Sequence, residues 1–236
     1  MGTGRLLVTT AVVAGLSWAG IAVAGAASVC DEFGGTVQAD DICRVQTTTP
    51  EYTMKMEFPA GVDTFSPMVV DYLRQTRDGF LSVAGSPDAQ GLPYELDIST
   101  QRFTARTPMG ATSSIVFEIY QGIGGAHPSI WYKAFTRPVF GNYTPGVQPL
   151  RFEDLFAPDA HALDVIYPAV RADLQRQLGV ADMITEDDGT NPENYQDFAI
   201  TDTDLIFFFS QGELMAQAAG AVEVRLPLSS LPPLVV

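Results

Sequence analysis

Histidine and cysteine are scarce in this chain, which has 236 residues and only 2 of each. Zinc sites take three or four His, Cys or carboxylate ligands, often closely spaced, so this composition leaves little scope for one. The sequence also lacks the HExxH, paired CxxC and GxSxG motifs that mark several classes of metal site and hydrolase. We therefore predict no metal, no cofactor and no enzymatic activity.

Positive charge is also in short supply. Lys and Arg number 13 against 28 Asp and Glu, which gives a formal net charge of −15. A surface of this sign repels nucleic acids and anionic membrane head groups, and it favours solubility. We therefore expect no nucleic-acid partner, whereas a basic partner would be attracted.

A long apolar run occurs at the N-terminus. Residues 6–27 are rich in Ala and Gly, contain no acidic side chain and follow Arg5. This pattern is typical of a secretory signal with cleavage after Ala24 or Ala26. We predict a signal over residues 1–26 and secretion of the remainder without stable membrane insertion. Because the run is about 20 residues long, which is enough to span a bilayer, an uncleaved anchor is the alternative.

The two cysteines, Cys30 and Cys43, begin the part of the chain that would be exported. Outside the cytoplasm such a pair can form a disulfide, which would stabilise the fold by about 3 kcal/mol if loop entropy dominates. A catalytic thiol is the alternative, but neither cysteine has a histidine nearby in sequence. We predict a Cys30–Cys43 disulfide.

Residues 27–236 contain no linker or low-complexity tract and are predicted to form a single domain. Residues 52–58 alternate apolar and polar side chains, as a half-buried strand does. Ser66 and Pro67 then supply an N-cap and a favoured first helical residue. Apolar residues at three- and four-residue spacing follow, and they predict an amphipathic helix over residues 67–84.

The middle of the chain is rich in strand-forming residues. Segments 94–107, 113–121 and 127–137 are separated by short turns that contain Gly and Pro. Connections of this length are too short for parallel crossovers, so they predict an antiparallel meander.

A second amphipathic helix is predicted between a cap at Asp159 and a terminating Gly179. Pro168 should kink or split this helix, because it removes a backbone donor. Residues 182–194 are predicted to form an acidic loop. The continuous apolar run at residues 205–209 predicts a strand buried on both faces.

The C-terminal region completes the predicted fold. Residues 211–219 favour a short helix ending at Gly220, and residues 221–228 alternate as a last strand. Together the elements predict an α+β fold, with a mainly antiparallel sheet packed against two amphipathic helices.

Several segments spread over most of the chain also carry a family resemblance. They are Tyr72–Leu81, Pro93–Leu96, Gly124–Pro128, Tyr132–Phe135, Asn194–Ala199, Ile206–Phe209, Gly212–Leu214 and Ala218–Gly220. With the cysteine pair, they resemble the mycobacterial secreted immunogenic-protein family, the MPT/MPB secreted antigens. That family shares a C-terminal domain type with the ectodomains of lysozyme-sensing anti-sigma factors.

The resemblance implies a β-grasp-like α+β fold, export and an antigenic surface. In the anti-sigma relatives it also implies protein binding. It supplies no accepted catalytic residues. The membrane span and cytoplasmic sigma-binding segment of those relatives have no counterpart in this sequence, so a sigma-factor role is not implied.

The two histidines are the strongest candidates for chemistry. His127 follows a glycine pair and precedes Pro128. It is either a base in a groove lined by Trp131 and Tyr132 or, as we favour, a polar residue that bonds backbone groups in a tight turn. His161 falls in the first turn of the second predicted helix, where we expect a solvated side chain.

Aromatic residues are concentrated around segment 127–143. Alternating aromatic residues in a strand usually belong to a core, but those on the other face or in the following loop could be exposed. We take His127, Trp131, Tyr132 and Tyr143 as candidates for a partner site.

The acidic segment 186–191 could offer oxygen ligands to calcium. It lacks the alternating spacing and the closing Glu of the twelve-residue calcium loop, so we do not predict a calcium site.

These observations predict a secreted, non-enzymatic protein that binds a protein or cell-envelope partner through its surface. One alternative is an extracytoplasmic enzyme acting on cell-wall or lipid substrates. Another is a carrier of small apolar ligands, which would need an enclosed cavity of roughly 300 Å³ or more.

Overall fold

The computed structural model describes residues 28–91, 93–124, 127–139, 148–179 and 184–236. The predicted signal over residues 1–26 and the candidate residue Tyr143 lie outside this range. In the described part of the chain, no helix is long and apolar enough to cross a membrane.

A six-stranded sheet forms the first half of the fold, with its strands in chain order. The strands are β1 (Thr36–Val37), β2 (Ile42–Thr48), β3 (Tyr52–Pro59), β4 (Tyr94–Thr107), β5 (Gly110–Gly122) and β6 (Ser129–Val139). All neighbours are antiparallel except β3 and β4, which are parallel. The predicted antiparallel meander of β4, β5 and β6 is therefore confirmed.

Five α-helices are found in the described residues. They are α1 (Val29–Glu32), α2 (Val62–Phe65), α3 (Pro67–Ala84), α4 (Leu163–Leu178) and α5 (Glu186–Gly189). The bounds of α3 agree with the prediction, because the Ser66 hydroxyl accepts a hydrogen bond from the Met68 N–H and Pro67 is the first helical residue. This helix makes the crossover that parallel pairing of β3 and β4 requires.

A second, three-stranded antiparallel sheet contains β7 (Phe198–Ile200), β8 (Asp204–Phe209) and β9 (Val222–Pro227), in that order. The prediction that residues 205–209 are buried on both faces is confirmed. Leu205, Phe207 and Phe209 pack into a core with α4, whereas Ile206 and Phe208 pack against the six-stranded sheet.

Helix α4 departs from the prediction at its start. Asp159 does not cap it; the N-cap residue is Ala162, and no side chain bonds the first turn. The reason is that residues 157–160 form a separate turn, in which the Ala160 N–H donates to the Ala157 carbonyl. Pro168 lies inside α4 without splitting it, and Gly179 ends the helix with φ 70° as predicted.

Two other local predictions need correction. The acidic loop at 182–194 contains α5 and a 3₁₀ turn, Pro192–Tyr195, and the helix expected at 211–219 is limited to a 3₁₀ turn, Gln217–Ala219. A side-chain cap explains the helical turn in the acidic segment, because the Thr185 hydroxyl accepts a hydrogen bond from the Asp188 N–H at 3.1 Å.

The predicted disulfide is confirmed, because Cys30 and Cys43 are bonded and join α1 to β2. The overall class is also confirmed: the molecule is α+β with a mainly antiparallel main sheet. Its division into two sheets was not predicted.

Candidate functional site

Two of the described residues predicted to form a partner site, Trp131 and Tyr132, do not share one surface. Trp131 and Tyr132 are neighbours on β6, so their side chains point to opposite faces of the sheet. The Trp131 indole N–H donates to the Tyr72 hydroxyl at 2.8 Å, whereas the Tyr132 ring packs 5.3 Å from the Phe208 ring. Burial raises the pKa of Tyr132 to about 12, with Glu118 and Glu223 adding to the shift.

His127 is exposed and lies just before β6. It borders one cavity of about 210 Å³ with Glu95 and Tyr120, and another of about 570 Å³ with Gln211 and Gln217. Among the described residues lining these cavities, Glu95 is the only acid. The pair of carboxylates that would favour a catalytic His127 is therefore not found there.

The other histidine, His161, lies in a cavity of about 540 Å³ at the start of α4, which we call the α4 cavity. Its polar lining comprises Glu153, His161, Asp164 and Thr190. Its apolar lining comprises Phe152, Phe156, Ala157, Pro158, Ala162 and Leu163. The side chain of His161 is exposed, as predicted, but the residue precedes α4 and does not lie in its first turn. Nothing in the sequence indicates that it borders a cavity.

The position of His161 follows from the local backbone. The residue precedes α4 and has a φ of 45°, in the left-handed region that non-glycine residues rarely adopt. Its carbonyl accepts the Asp164 N–H at 3.0 Å, which closes the turn into the helix. No sequence motif marks this conformation, so only the three-dimensional fold reveals it.

An aromatic cluster makes one wall of the α4 cavity rigid. Phe152 is 5% exposed, and its ring packs against those of Phe156, Tyr195 and Phe207 at centroid distances of 5.9, 5.4 and 6.1 Å. Phe207 belongs to the fully buried strand β8. The wall is therefore anchored in the core of the second sheet.

Glu153 is the most strongly bonded acid in the cavity. Burial pushes the pKa of Glu153 upward, but hydrogen bonds from its own backbone, Arg151 and Gln196 outweigh burial and lower its pKa. The Arg151 Nε lies 3.3 Å from Oε2, and the Gln196 Nε2 lies 3.2 Å from the same oxygen. Glu153 is therefore a fixed carboxylate at neutral pH.

The start of α4 also brings backbone donors to the cavity. The first N–H groups of a helix have no partner within it. Within the described part of the chain, the N–H groups of Ala162 and Leu163 have no acceptor. They lie at the positive end of the helix dipole, where negative charge is stabilised.

The hydroxyl of Thr190 is already engaged. Its Oγ1 donates to the Glu186 carbonyl at 2.8 Å, at the end of α5. It is the only hydroxyl among the described residues lining the α4 cavity. No group of three or more metal-ligating side chains occurs in the portion of the chain that the structure describes.

The fold is similar to that of α+β proteins of known structure. Residues 153–229, which include the polar lining of the α4 cavity, match the family model "Protein of unknown function (DUF3298)". A crystal structure of a DUF3298 member from Bacteroides fragilis is similar, with a TM-score of 0.50 and 15% identity over 80% of this chain and 90% of that chain. This likeness shows the fold.

Closer relatives define the family. Immunogenic protein MPB64 of Mycobacterium bovis and immunogenic protein MPT64 of Mycobacterium tuberculosis are each 34% identical over 226 residues, covering 96% of this chain and 95% of theirs. The chain therefore belongs to the MPT64/MPB64 immunogenic-protein family, which confirms the resemblance found in the sequence.

A further relative changes the expectation about function. "Esterase Rv3036c" of Mycobacterium tuberculosis is 41% identical over 233 residues, covering 98% of this chain and 100% of its own length. This finding contradicts our prediction that the chain is not an enzyme. That prediction was wrong because it rested on missing motifs, and a site assembled from separated segments leaves no motif in the sequence.

Proposed function

We propose that this protein is an exported hydrolase of carboxylic esters and that the reaction takes place in the α4 cavity. The observation that carries the proposal is the meeting of His161, the fixed carboxylate Glu153 and apolar walls in one cavity of about 540 Å³. This is the size and character of a small-molecule site. The full-length relative named as an esterase supports the reaction class.

The cavity supplies the groups that ester hydrolysis needs. The His161 imidazole takes a proton from a water molecule as that water attacks the ester carbonyl, and the imidazolium then protonates the departing alkoxide. The carboxylate of Glu153 lines the same cavity. The free N–H groups of Ala162 and Leu163 donate to the oxyanion that develops on the carbonyl oxygen.

The attacking group in this proposal is water and not a side chain. The described lining offers one hydroxyl, that of Thr190, and it is committed to the Glu186 carbonyl. We therefore expect no acyl-enzyme intermediate. Mass spectrometry of the protein quenched during turnover should show its unmodified mass, and a stable acyl adduct would contradict this step.

Backbone strain is a second reason to place the chemistry at His161. A non-glycine residue at φ 45° persists only where the surrounding structure holds it, and such residues cluster at functional sites.

The location and antigenic role of the enzyme belong to the same proposal. The signal-like residues 1–26 would export it, and relatives named as immunogenic proteins support an antigenic surface. An exported esterase meets esters of the cell envelope or its surroundings. Cell-wall and lipid esters are therefore the substrates we expect.

Comparing the two histidines tests the proposed site. The purified protein, its His161→Asn variant and its His127→Asn variant are assayed on a neutral short-chain ester. We expect His161→Asn to lower kcat/KM by about 10²-fold or more, the usual contribution of a general base. His127→Asn should stay within about twofold. A folded His161→Asn protein that keeps most of the activity would contradict the proposal.

Binding of a protein or cell-envelope partner is a second candidate function. It is favoured by a groove of about 340 Å³ beside α3, where Met68 is 46% exposed next to Tyr72 and Phe135. Pull-down from envelope extract with the native protein and with Met68→Glu tests it. A component retained equally by both proteins would count against this groove.

A further inference from the structure

Acidic groups dominate the two segments that form the α4 cavity. Segments 151–164 and 184–195 together contain eight Asp and Glu residues and a single basic residue, Arg151. Glu153 and Asp164 line the cavity itself, and α5 carries three more acids just before Thr190. The formal charge of these two segments is therefore negative, and the free N–H groups of Ala162 and Leu163 add a local positive potential at the start of α4.

Arg151 does not offset this negative charge with an open anion site. Its Nη2 lies 2.7 Å from Glu193 and its Nε lies 3.3 Å from Glu153, so both ends of the guanidinium face carboxylates. The formal charge of −15 on the whole chain adds a repulsive background for anions. Apart from His161, a substrate with a negative group would meet no basic side chain among the described lining residues.

The apolar wall lies beside these carboxylates. Phe152 and Phe156 line the cavity with only 5% and 6% of their surfaces exposed. Aromatic side chains attract ammonium groups. A bulky organic cation would therefore meet carboxylates next to an apolar wall.

We infer that the α4 cavity selects esters that carry a cationic ammonium group over their uncharged isosteres, and that it disfavours anionic esters. The inference rests on the proposed ester hydrolysis and adds its charge specificity. Glu153 and Asp164 supply the attraction, and the wall that contains Phe152 and Phe156 supplies an apolar border.

Three matched acetate esters test this specificity: acetylcholine, its uncharged isostere 3,3-dimethylbutyl acetate, and the anionic 2-sulfoethyl acetate. At roughly 10 mM ionic strength we expect kcat/KM to fall about threefold or more at each step in that order, since unit charges some 6 Å apart interact measurably even in water. At about 1 M salt the differences should shrink, because exposed charges are screened.

Variants separate the local carboxylate from the general charge. Asp164→Asn should lower the ratio of the cationic to the uncharged ester, whereas Glu51→Gln, which removes an exposed acid beside β3, should leave it unchanged. If Asp164→Asn fails to fold, the salt series on the native protein still decides. A folded Asp164→Asn protein with an unchanged ratio would overturn the role given to Asp164.

The outcomes distinguish the inference from the function on which it rests. Equal kcat/KM for acetylcholine and its isostere at low salt, with hydrolysis abolished in His161→Asn, would overturn the charge specificity alone. Hydrolysis of none of the three esters, or hydrolysis unaffected by His161→Asn, would overturn the proposed function and the inference together.

Discussion

At His161 the backbone adopts a φ of 45°, which costs a non-glycine residue on the order of 1–2 kcal/mol. The turn at residues 157–160 and the hydrogen bond from the Asp164 N–H to the His161 carbonyl hold it there. His161 was considered in the sequence analysis, but its backbone conformation was not predicted. The residues around position 161 do not distinguish a histidine in the first helical turn from one just before the helix.

Glycine at position 161 should separate stability from activity. His161→Gly relieves the left-handed strain, so we expect its thermal midpoint to equal or exceed that of the native protein, while hydrolysis is lost. His127→Gly should lower the midpoint slightly, because it adds freedom to the unfolded chain. Thermal unfolding by circular dichroism measures both. A larger loss for His161→Gly than for His127→Gly would show that position 161 is not strained.

Glu213 should make stability depend on pH. Burial raises the pKa of Glu213, and although the Ser210 N–H and Lys133 oppose the shift, Asp197 adds to it. Because the folded pKa lies above the unfolded one, folding favours the protonated form, and stability falls as pH rises from about 4.5 through the folded pKa.

The variant Glu213→Gln removes this dependence. Its amide oxygen can still accept the Ser210 N–H, which lies 2.7 Å from the Glu213 carboxylate. We expect the variant to have a higher unfolding midpoint than the native protein at pH 7 and the same midpoint near pH 4. A native protein that is more stable at both pH values would contradict the direction of the shift.

Among the elements, those with local signals were predicted best. Helix α3 has Ser66 and Pro67 at its start and a clear apolar period, so its ends could be read directly. Strand β8 was evident from five consecutive apolar residues. The parallel pairing of β3 with β4 was missed, because its partners are separated by the whole of α3 and no local signal records their contact.

Helix α1 depends on the disulfide that joins it to β2. Cys43→Ser should lower the free energy of unfolding by about 2–4 kcal/mol, through the greater freedom of the unfolded chain. Chemical denaturation under oxidising conditions measures the effect, with the reduced native protein as the matched control. An unchanged midpoint would show that other contacts of α1, such as the ion pair of Glu32 with Arg74, are sufficient.

On the scale of the whole molecule, a buried polar contact joins the two sheets. The Thr136 hydroxyl on β6 bonds the Ser114 hydroxyl on β5 and the Phe198 carbonyl on β7. Val116 and Ala134 of the first sheet pack there against Ile206 and Phe208 of the second. The second sheet in turn supports the aromatic wall of the α4 cavity.

This arrangement explains why the fold class was easier to predict than the location of the proposed active site. Fold class follows from the apolar periodicity of the strands and helices, which is visible in the sequence. The cavity brings Glu153 and His161 of segment 151–164 together with Thr190 of segment 184–195, and these segments meet only in the folded chain. A search for sequence motifs therefore could not detect the cavity, and the absence of motifs led to the prediction that the protein is not an enzyme.

Chemical rescue at position 161 tests the central claim most directly. In His161→Gly, the space left by the side chain can admit imidazole from solution. We predict that added imidazole restores ester hydrolysis with saturation, and that it has little effect on the native protein or on His127→Gly. A His161→Gly protein that remains folded but hydrolyses esters as fast as the native protein without imidazole would contradict a catalytic role for His161 and the assignment of the α4 cavity.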